Sequence, residues 1–341
     1  MKRFLITVLC LLMLVIPTSG CKSTEPSLYT VTFYDVFDTV TVLRGYASDR
    51  SEFDQIADRI HTLLLEYHSL YDIYHDPEKG NNLKTVNDNA GSEPVSVDSR
   101  IIDLLLFCKK TDTFTGHKVN AMLGPVLSIW HDARTLALEE PSKAYLPSFD
   151  VLSDAAKHVD FSLLEIDESA LTVRIINSDA SLDVGAIAKG FTVQRALEYL
   201  PDGYLLSLGG NIAVKGTKPD GSVWNVGIQD PFDPSSISLV VTVSNVSVVT
   251  SGDYQRTFSF NGKEYHHIID PVTLYPSEYW KSVTVICNDS AVGDALSTAL
   301  FLMDQDEGIR LLEQFDADAM WVSFDGTRYY TDGFSSLIKN S

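Results

Sequence analysis

Short stretches of alternating apolar and polar residues recur along the chain and predict β-strands joined by tight turns. Residues 29–46 predict two strands with a turn near Asp35, and residues 161–176 predict a hairpin. The dipeptides Asn261-Gly262 and Asp325-Gly326 favour two-residue hairpin turns. Further strands are expected at 204–208, 224–228, 237–249 (two strands) and 282–287. Strands joined in this way favour antiparallel sheets.

Other stretches place apolar residues three or four positions apart, which is typical of amphipathic helices. These stretches are 53–70, 99–113, 193–200 and 309–315. Residues 81–97 and the polar segment 250–254 are expected to be loops or turns, and Gly124-Pro125 is expected to interrupt the apolar segment 119–130. Together the elements predict an α+β fold in which helices pack on mixed or antiparallel sheets.

Residues 290–303 are apolar nearly all round and predict a buried helix, yet this helix carries Asp294, with Thr298 one turn later. A buried carboxylate is costly unless a positive or hydrogen-bonding group meets it. Three explanations remain open: Asp294 caps the helix N-terminus, it pairs with a buried Lys or Arg, or it binds a hard cation together with Thr298. No Lys or Arg lies within a turn on the same helix.

Residues 181–190 are expected to join the end of a strand to the start of a helix. Small residues at such a junction allow a ligand to approach the backbone, and the N–H groups of a helix N-terminus suit a phosphate. Lys189 would add a positive charge, although Gly and Ala also serve close helix packing. Farther along, His266 and His267 are expected to point to opposite faces of a strand, so that at most one lines any given site.

The beginning of the chain has the pattern of an export signal. Lys2 and Arg3 precede an apolar run over residues 4–16, and small residues at 18–20 come directly before Cys21. This arrangement resembles a bacterial lipobox, in which the cysteine is lipidated. The alternative is a plain secretory signal with an incidental cysteine.

The lipobox interpretation divides the chain into three parts. Residues 1–20 are a lipoprotein signal peptide, residues 21–28 a lipid-anchored tether, and residues 29–341 one folded domain. We therefore expect a protein attached to the cell membrane through an N-terminal lipid, on the extracytoplasmic face.

Composition and missing motifs exclude several function classes. The net charge of −20 disfavours binding to nucleic acid, which needs a basic surface. No GxGxxG follows a strand, and neither CxxC nor HExxH occurs. Cys108 and Cys287 lie in apolar segments and are expected to be buried thiols. Histidines recur every seven residues at 61, 68 and 75, but Pro77 and its loop argue against a shared metal site.

Five short segments carry the remaining signal. They are DVGAIAKG (183–190), SLGGN (207–211), TSGDY (250–254), HIIDP (267–271) and DALSTA (294–299). In this order they resemble the ApbE family, the FAD:protein FMN transferases, and the resemblance covers nearly all of residues 29–341. It implies a T-fold-like architecture and a Mg²⁺-dependent reaction. In that reaction FMN passes from FAD to a Thr or Ser hydroxyl of an acceptor protein through a phosphoester bond, and AMP is released.

The resemblance also assigns roles by position. The metal ligands would be Asp294, Thr298 and the backbone carbonyl of Ala186, and His267 would be the general base that takes the acceptor proton. FAD would be contacted by Phe37, Tyr71, Lys118, Val119, Asn120, Asp183, Lys189 and Ile269. The implied partners are FAD, an extracytoplasmic flavin-acceptor protein and the membrane.

Two positions depart from the family pattern. Asn120 replaces an Asp, which puts adenine or ribose contacts there in question. Leu274 replaces a Gly after Thr273. Three other functions stay open. A metal-dependent FAD pyrophosphatase that yields FMN and AMP would use the same site, and Asn120 favours a flavin-binding lipoprotein without turnover. The substrate-binding lipoprotein of a transporter is the general alternative for a chain with a lipobox.

Overall fold

The computed structural model describes residues 25–339, so the predicted signal peptide and Cys21 lie outside the described residues. The described part has the α+β fold expected from the sequence, with antiparallel sheets and packed helices. The strands are β1 (Ser27–Val36), β2 (Thr39–Ala47), β3 (Val95–Ser96), β4 (Leu164–Asp167), β5 (Thr172–Ile175), β6 (Tyr204–Leu208), β7 (Asn211–Lys215), β8 (Trp224–Gln229), β9 (Ile237–Val243), β10 (Ser247–Gly252), β11 (Phe258–Phe260), β12 (Lys263–Tyr265), β13 (Ser282–Cys287), β14 (Ala317–Val322) and β15 (Arg328–Tyr330).

The described part also contains α-helices. They are α1 (Arg50–Tyr71), α2 (Leu83–Asp88), α3 (Ser99–Phe114), α4 (Gly124–Glu139), α5 (Phe149–Ala155), α6 (Ala188–Leu197), α7 (Ser290–Phe301), α8 (Gln305–Leu312) and α9 (Asp332–Leu337). None of them is both long enough and apolar enough to cross a membrane.

A central eight-stranded sheet has the order β1-β2-β6-β7-β10-β13-β14-β15, and every neighbouring pair is antiparallel. Helices α1, α6 and α7 pack on one face, while the β8–β9 pair covers the other. Strand β13 is therefore buried on both faces: Val283 and Val285 belong to the helix-side core, whereas Ile286 packs beneath β8 and β9. All six residues of β13 are accordingly buried, including the polar Ser282 and Thr284.

Several boundaries differ from the sequence-based expectations. Residues 81–97 contain α2 and β3 rather than only a loop, because the side chains of Asn82 and Thr85 form a capping box that starts α2. Gly124-Pro125 divides the apolar segment 119–130 as expected, but α4 begins at this point, since a proline in the first turn of a helix needs no N–H partner. Residues 250–252 continue β10 and pair with β13.

The free cysteines are buried, as expected from their apolar surroundings. Cys108 and Cys287 both belong to the helix-side core. Burial raises the pKa of the Cys287 thiol to about 12. Neither thiol is therefore suited to nucleophilic chemistry near pH 7.

Candidate active site

A cavity of about 450 Å³ opens where the N-terminus of α6, the end of β10, the β1–β2 turn and the loop after β12 meet. Its volume falls in the range of small-molecule and cofactor sites. All twelve site residues proposed within the folded domain line this single cavity: Phe37, Tyr71, Lys118, Val119, Asn120, Asp183, Ala186, Lys189, His267, Ile269, Asp294 and Thr298. The structure thus brings together residues that are more than 250 positions apart in the chain.

Asp294 does not cap its own helix, because Asp289 performs that task by accepting hydrogen bonds from Ala291 and Val292 N–H. Asp294 instead receives the N–H of Gly190, the third residue of α6, at 2.7 Å from Oδ2. The capping explanation is therefore wrong for α7, although the carboxylate does cap a neighbouring helix. Burial raises the pKa of Asp294, while Lys189, the Gly190 N–H and the Asn211 side chain favour its charged form.

The bond to Gly190 also changes the bonding of the carbonyl at Ala186. In a continuous helix the Gly190 N–H would donate to the carbonyl four residues earlier, as Phe191 N–H donates to Ile187 O at 3.0 Å. Because Asp294 takes this donor, the Ala186 carbonyl receives no backbone hydrogen bond from the described residues. The oxygen that the resemblance assigns to the metal is therefore available for a ligand.

The neighbouring groups are further oxygens. The Thr298 hydroxyl lies 3.4 Å from the Ser251 hydroxyl, and the buried Asn211 Oδ1 has no hydrogen-bond partner among the described residues. Carboxylate, hydroxyl, amide and backbone oxygens together are the donors that a hard cation such as Mg²⁺ prefers. No cluster of three or more His, Cys, Asp or Glu side chains with metal-binding geometry occurs within residues 25–339. The residues at Asp294 therefore fit Mg²⁺ through an oxygen set that includes backbone and neutral groups.

His267 lines the same cavity, and it differs from His266 in the hydrogen bonds of its ring nitrogens. Its Nδ1 is 3.1 Å from Gln255 O, so this nitrogen carries the proton and Nε2 keeps a lone pair. The ring is accessible from the cavity, but the cavity walls surround it. This desolvation, together with the charges of Arg256 and Lys189, lowers the pKa of His267 to about 3. The imidazole is therefore neutral near pH 7, and its Nε2 lone pair is free to accept a hydrogen bond from a hydroxyl group in the cavity.

His266 also borders the cavity, contrary to the expectation that only one of the two histidines would do so. Residues 266–268 are not in a regular strand, so the alternation of side chains does not apply. Both ring nitrogens of His266 have structural partners, namely Ser277 O at 2.9 Å and Ile268 N–H at 3.2 Å. His266 therefore holds the loop, and only His267 has a nitrogen available for chemistry.

Asn120 makes two structural hydrogen bonds with its side chain. Its Oδ1 accepts from Met122 N–H at 2.7 Å, and its Nδ2 donates to Val159 O at 3.0 Å. An Asp could accept the first bond but could not donate the second. The local fold thus explains the departure from the family pattern. Any contact of Asn120 with FAD has to use the second lone pair of Oδ1 or the second hydrogen of Nδ2.

Other predicted FAD contacts are already anchored within the protein. Lys118 Nζ lies 3.6 Å from Asp270, and the Tyr71 hydroxyl donates to Arg100 O at 3.1 Å, so Tyr71 offers the cavity only part of its ring. Phe37 lies in a two-residue turn with a φ of 52° and donates its N–H to His68 Nδ1 at 3.2 Å. His68, which carries no role in the sequence interpretation, thus holds Phe37 over the cavity.

The N-terminal side of α6 holds the remaining predicted contacts. Asp183 Oδ1 accepts from Gly185 N–H at 2.8 Å, and Lys189 Nζ donates to Gly185 O at 3.1 Å. Burial raises the pKa of Asp183, which nearby Arg256, His131 and Lys189 partly offset. Residues 181–184 form no strand, which corrects the expected strand-to-helix junction.

The sequence interpretation missed several residues of this cavity. They are His68, Tyr74, His131, Arg134, Asn211 and Arg256. The only signal for Asn211 was its position at the end of SLGGN, and nothing in their spacing distinguishes Arg134 and Arg256 from surface arginines. Their proximity arises from tertiary structure alone.

The fold and cavity define an α+β protein whose cavity is lined by aromatic rings, basic side chains and a group of oxygen atoms around Asp294. The ApbE family profile matches residues 28–321. Among relatives, the chain is 33% identical to the FAD:protein FMN transferase of Treponema pallidum, with 84% of this chain and 82% of the relative covered. It is 30% identical to the enzyme of the same name from Klebsiella pneumoniae, with 83% and 85% covered.

Solved structures agree with this fold. The ApbE protein of Thermotoga maritima has a TM-score of 0.81 at 24% identity and covers 92% of this chain and 100% of its own. The flavin transferase ApbE of Vibrio cholerae has a TM-score of 0.74 at 21% identity and covers 92% and 99%. The chain therefore belongs to the ApbE family, which confirms the family predicted from its five motifs.

Proposed function

We propose that this protein is an FAD:protein FMN transferase that requires Mg²⁺. It moves FMN from FAD to a Thr or Ser hydroxyl of an acceptor protein, forms a phosphoester and releases AMP. Relatives of this name at 30% and 33% identity over most of the chain support the transfer. The observation that carries the metal requirement is the Ala186 carbonyl, which lacks a backbone donor because Asp294 takes the Gly190 N–H.

Charge neutralisation and positioning dominate catalysis at a phosphoryl centre. When bound to Ala186, Asp294 and Thr298, Mg²⁺ would supply Lewis-acid neutralisation of the diphosphate. Lys189 adds a positive charge on the same side of the cavity. Neutral His267 takes the proton of the acceptor hydroxyl while the hydroxyl oxygen forms a bond to the flavin-side phosphorus. The bond from that phosphorus to the bridging oxygen breaks, and the electron pair leaves with AMP.

The structure bears on two of the alternative functions, the flavin-binding protein without turnover and the FAD pyrophosphatase. The substitution at Asn120 favoured a protein that binds flavin without turnover, but its side chain is used for local structure, so that argument no longer applies. A pyrophosphatase would use the same cavity with water in place of the acceptor hydroxyl. It predicts FMN and AMP even when no acceptor is present.

The direct test incubates the protein with FAD, Mg²⁺ and a flavin-acceptor domain, with and without EDTA. We expect the acceptor to gain the mass of one FMN group, with an equal amount of AMP, only when Mg²⁺ is present. Release of AMP without modified acceptor would favour the pyrophosphatase. Unchanged FAD in the presence of metal and acceptor would contradict both enzymatic functions.

We also propose that lipid attached to Cys21 holds the domain on the extracytoplasmic side of the cell membrane. Strand β1 begins at Ser27, so the five residues after the cysteine span at most roughly 20 Å. This short tether would keep the domain close to the lipid surface, where a membrane-bound acceptor could reach it. Cys21→Ser should move the protein from the membrane fraction to the soluble fraction; unchanged membrane association would contradict the anchor.

A further inference from the structure

Helices α6 and α7 exchange hydrogen bonds in which an N–H of each helix meets a side chain of the other. The Gly190 N–H of α6 donates to Asp294 Oδ2 at 2.7 Å, and the Ser290 N–H of α7 donates to Gln194 Oε1 at 2.8 Å. Gly190 and Gln194 lie four residues apart in α6, as do Ser290 and Asp294 in α7. These two bonds therefore lie about one helical turn apart, and the two helices run antiparallel where they meet.

The bond to Gln194 satisfies a donor that α7 cannot satisfy by itself. The first N–H groups of a helix have no acceptor within that helix. The Asp289 side chain accepts from the Ala291 and Val292 N–H groups at 2.8 and 3.1 Å, whereas the Ser290 N–H has its acceptor in α6. Ser290 is fully buried, so removal of the Gln194 oxygen would leave a polar group unsatisfied in the interior.

The contact at Gly190 brings the same two turns close together. A Cβ added at Gly190 would lie 2.4 Å from Ser290 O, so the Ser290 carbonyl packs against the glycine. Ser290 is thus held twice by α6, through its carbonyl at Gly190 and through its N–H at Gln194. Close packing limits how near the helices approach, and the directional hydrogen bonds fix how far one helix can slide along the other.

This register matters because the expected metal ligands come from both helices. The Ala186 carbonyl lies two residues before α6, whereas Asp294 and Thr298 belong to α7. Mg²⁺ requires near-ideal octahedral geometry with oxygen distances of roughly 2.0 to 2.1 Å. A displacement of α6 along α7 by about 0.5 Å would therefore weaken binding. Gln194 itself does not line the cavity.

We propose that Gln194 is a positioning residue of the Mg²⁺ site. By accepting the Ser290 N–H, Gln194 fixes the register of α6 against α7. The Ala186 carbonyl then stays within reach of a cation that Asp294 and Thr298 bind. The Gly190 bond alone would leave the helices free to turn about it, and the second bond one turn away prevents this movement. The inference rests on the Mg²⁺ site of the proposed function.

The test compares Gln194→Met with Gln194→Glu. Methionine matches glutamine in length and helix propensity but has no oxygen, whereas glutamate keeps an oxygen acceptor at the same position. The control is Val193→Ala, which shortens a buried side chain of α6 in the core shared with α1 and β6. Each protein is titrated with Mg²⁺ alone in calorimetry, and urea unfolding verifies that each is folded.

We expect Gln194→Met to bind Mg²⁺ about three- to tenfold more weakly, because the cation must then impose the register that the lost bond supplied. Gln194→Glu should bind Mg²⁺ like the unchanged protein. Val193→Ala should unfold at a lower urea concentration and still bind Mg²⁺ normally. In the transfer assay, excess Mg²⁺ should restore the rate of Gln194→Met, and its KM for FAD at saturating Mg²⁺ should be unchanged.

Three results would overturn the positioning role: normal Mg²⁺ affinity in Gln194→Met, an equal loss of affinity in Gln194→Glu, or an equal loss in Val193→Ala. The last of these would mean that general destabilisation of α6 explains the effect. If the unchanged protein binds Mg²⁺ more tightly than Gln194→Met but transfers no FMN, the positioning role stands and the proposed transferase function fails.

Discussion

Gly190→Ala tests the contact between α6 and Asp294. We expect this substitution to destabilise the protein, whereas helix propensity alone predicts that it would stabilise it. An alanine in place of a helical glycine normally stabilises a helix by about 1 kcal/mol. Here the added Cβ would lie 2.4 Å from the Cβ of Asp294 and 2.4 Å from Ser290 O, closer than real Cβ atoms approach. Helix α6 must therefore move away from α7.

The magnitude follows from two costs. Overpacking of a well-packed interior costs about 1 to 3 kcal/mol. Loss of the charged hydrogen bond between Gly190 N–H and Asp294 costs about 1.5 to 3 kcal/mol. After the gain in propensity is subtracted, the free energy of unfolding should fall by about 1.5 to 5 kcal/mol. The displacement of α6 should also shift the Ala186 carbonyl and weaken Mg²⁺ binding.

Urea unfolding and Mg²⁺ titration measure the two effects. The control is Gly308→Ala in α8, where the new Cβ would meet side-chain atoms of Leu300 at 3.0 Å and Trp321 at 3.2 Å. That variant should lose less stability and bind Mg²⁺ normally. A Gly190→Ala protein that is more stable than the unchanged protein and binds Mg²⁺ equally well would refute the reasoning.

Three further predictions use the same contacts. Asn120→Asp should lower the free energy of unfolding by about 1 to 3 kcal/mol, because the carboxylate faces Val159 O without a donor; equal urea midpoints would contradict this. Asn211→Ala should weaken Mg²⁺ binding in calorimetry while leaving the fold intact, and unchanged affinity would exclude its oxygen from the site. His267→Gln tests the pH dependence of stability. In the unfolded chain His267 binds a proton below about pH 6.5, whereas in the folded protein it does so only near pH 3. The free energy of unfolding therefore falls as the pH drops through this window. The variant should lose less stability between pH 6.5 and 4 in thermal melts, and an identical pH dependence would contradict the lowered pKa.

Local sequence signals predicted those elements whose structure depends on neighbouring residues. The Asn261-Gly262 turn joins β11 and β12, with both residues at positive φ, as a two-residue hairpin requires. By contrast, α2 was missed because its capping box lies in a polar segment without helical periodicity. The positions of the twelve cavity residues followed from the family resemblance rather than from periodicity, and the structure brings all of them to one cavity.

The details of the site depend on contacts between distant segments, which no local pattern encodes. The sequence left open whether small residues at 185–190 serve a ligand or helix packing. The structure gives Gly190 both tasks: its missing Cβ allows α7 to approach, and its N–H holds Asp294. The hydrogen bond between Asn120 and Val159, and the joint lining of the cavity by Arg134 and Arg256, likewise become visible only after folding.

The central claim is that Asp294 holds the cation required for FMN transfer. The most direct measurement compares the unchanged protein with Asp294→Asn, which keeps the shape and the acceptor for Gly190 N–H but removes the charge. Asp306→Asn, which changes an exposed side chain in the first turn of α8, serves as the control. We expect that, of the two variants, only Asp294→Asn loses both Mg²⁺ binding in calorimetry and the FMN mass gain on the acceptor. An Asp294→Asn protein that binds Mg²⁺ and transfers FMN at the unchanged rate would contradict it.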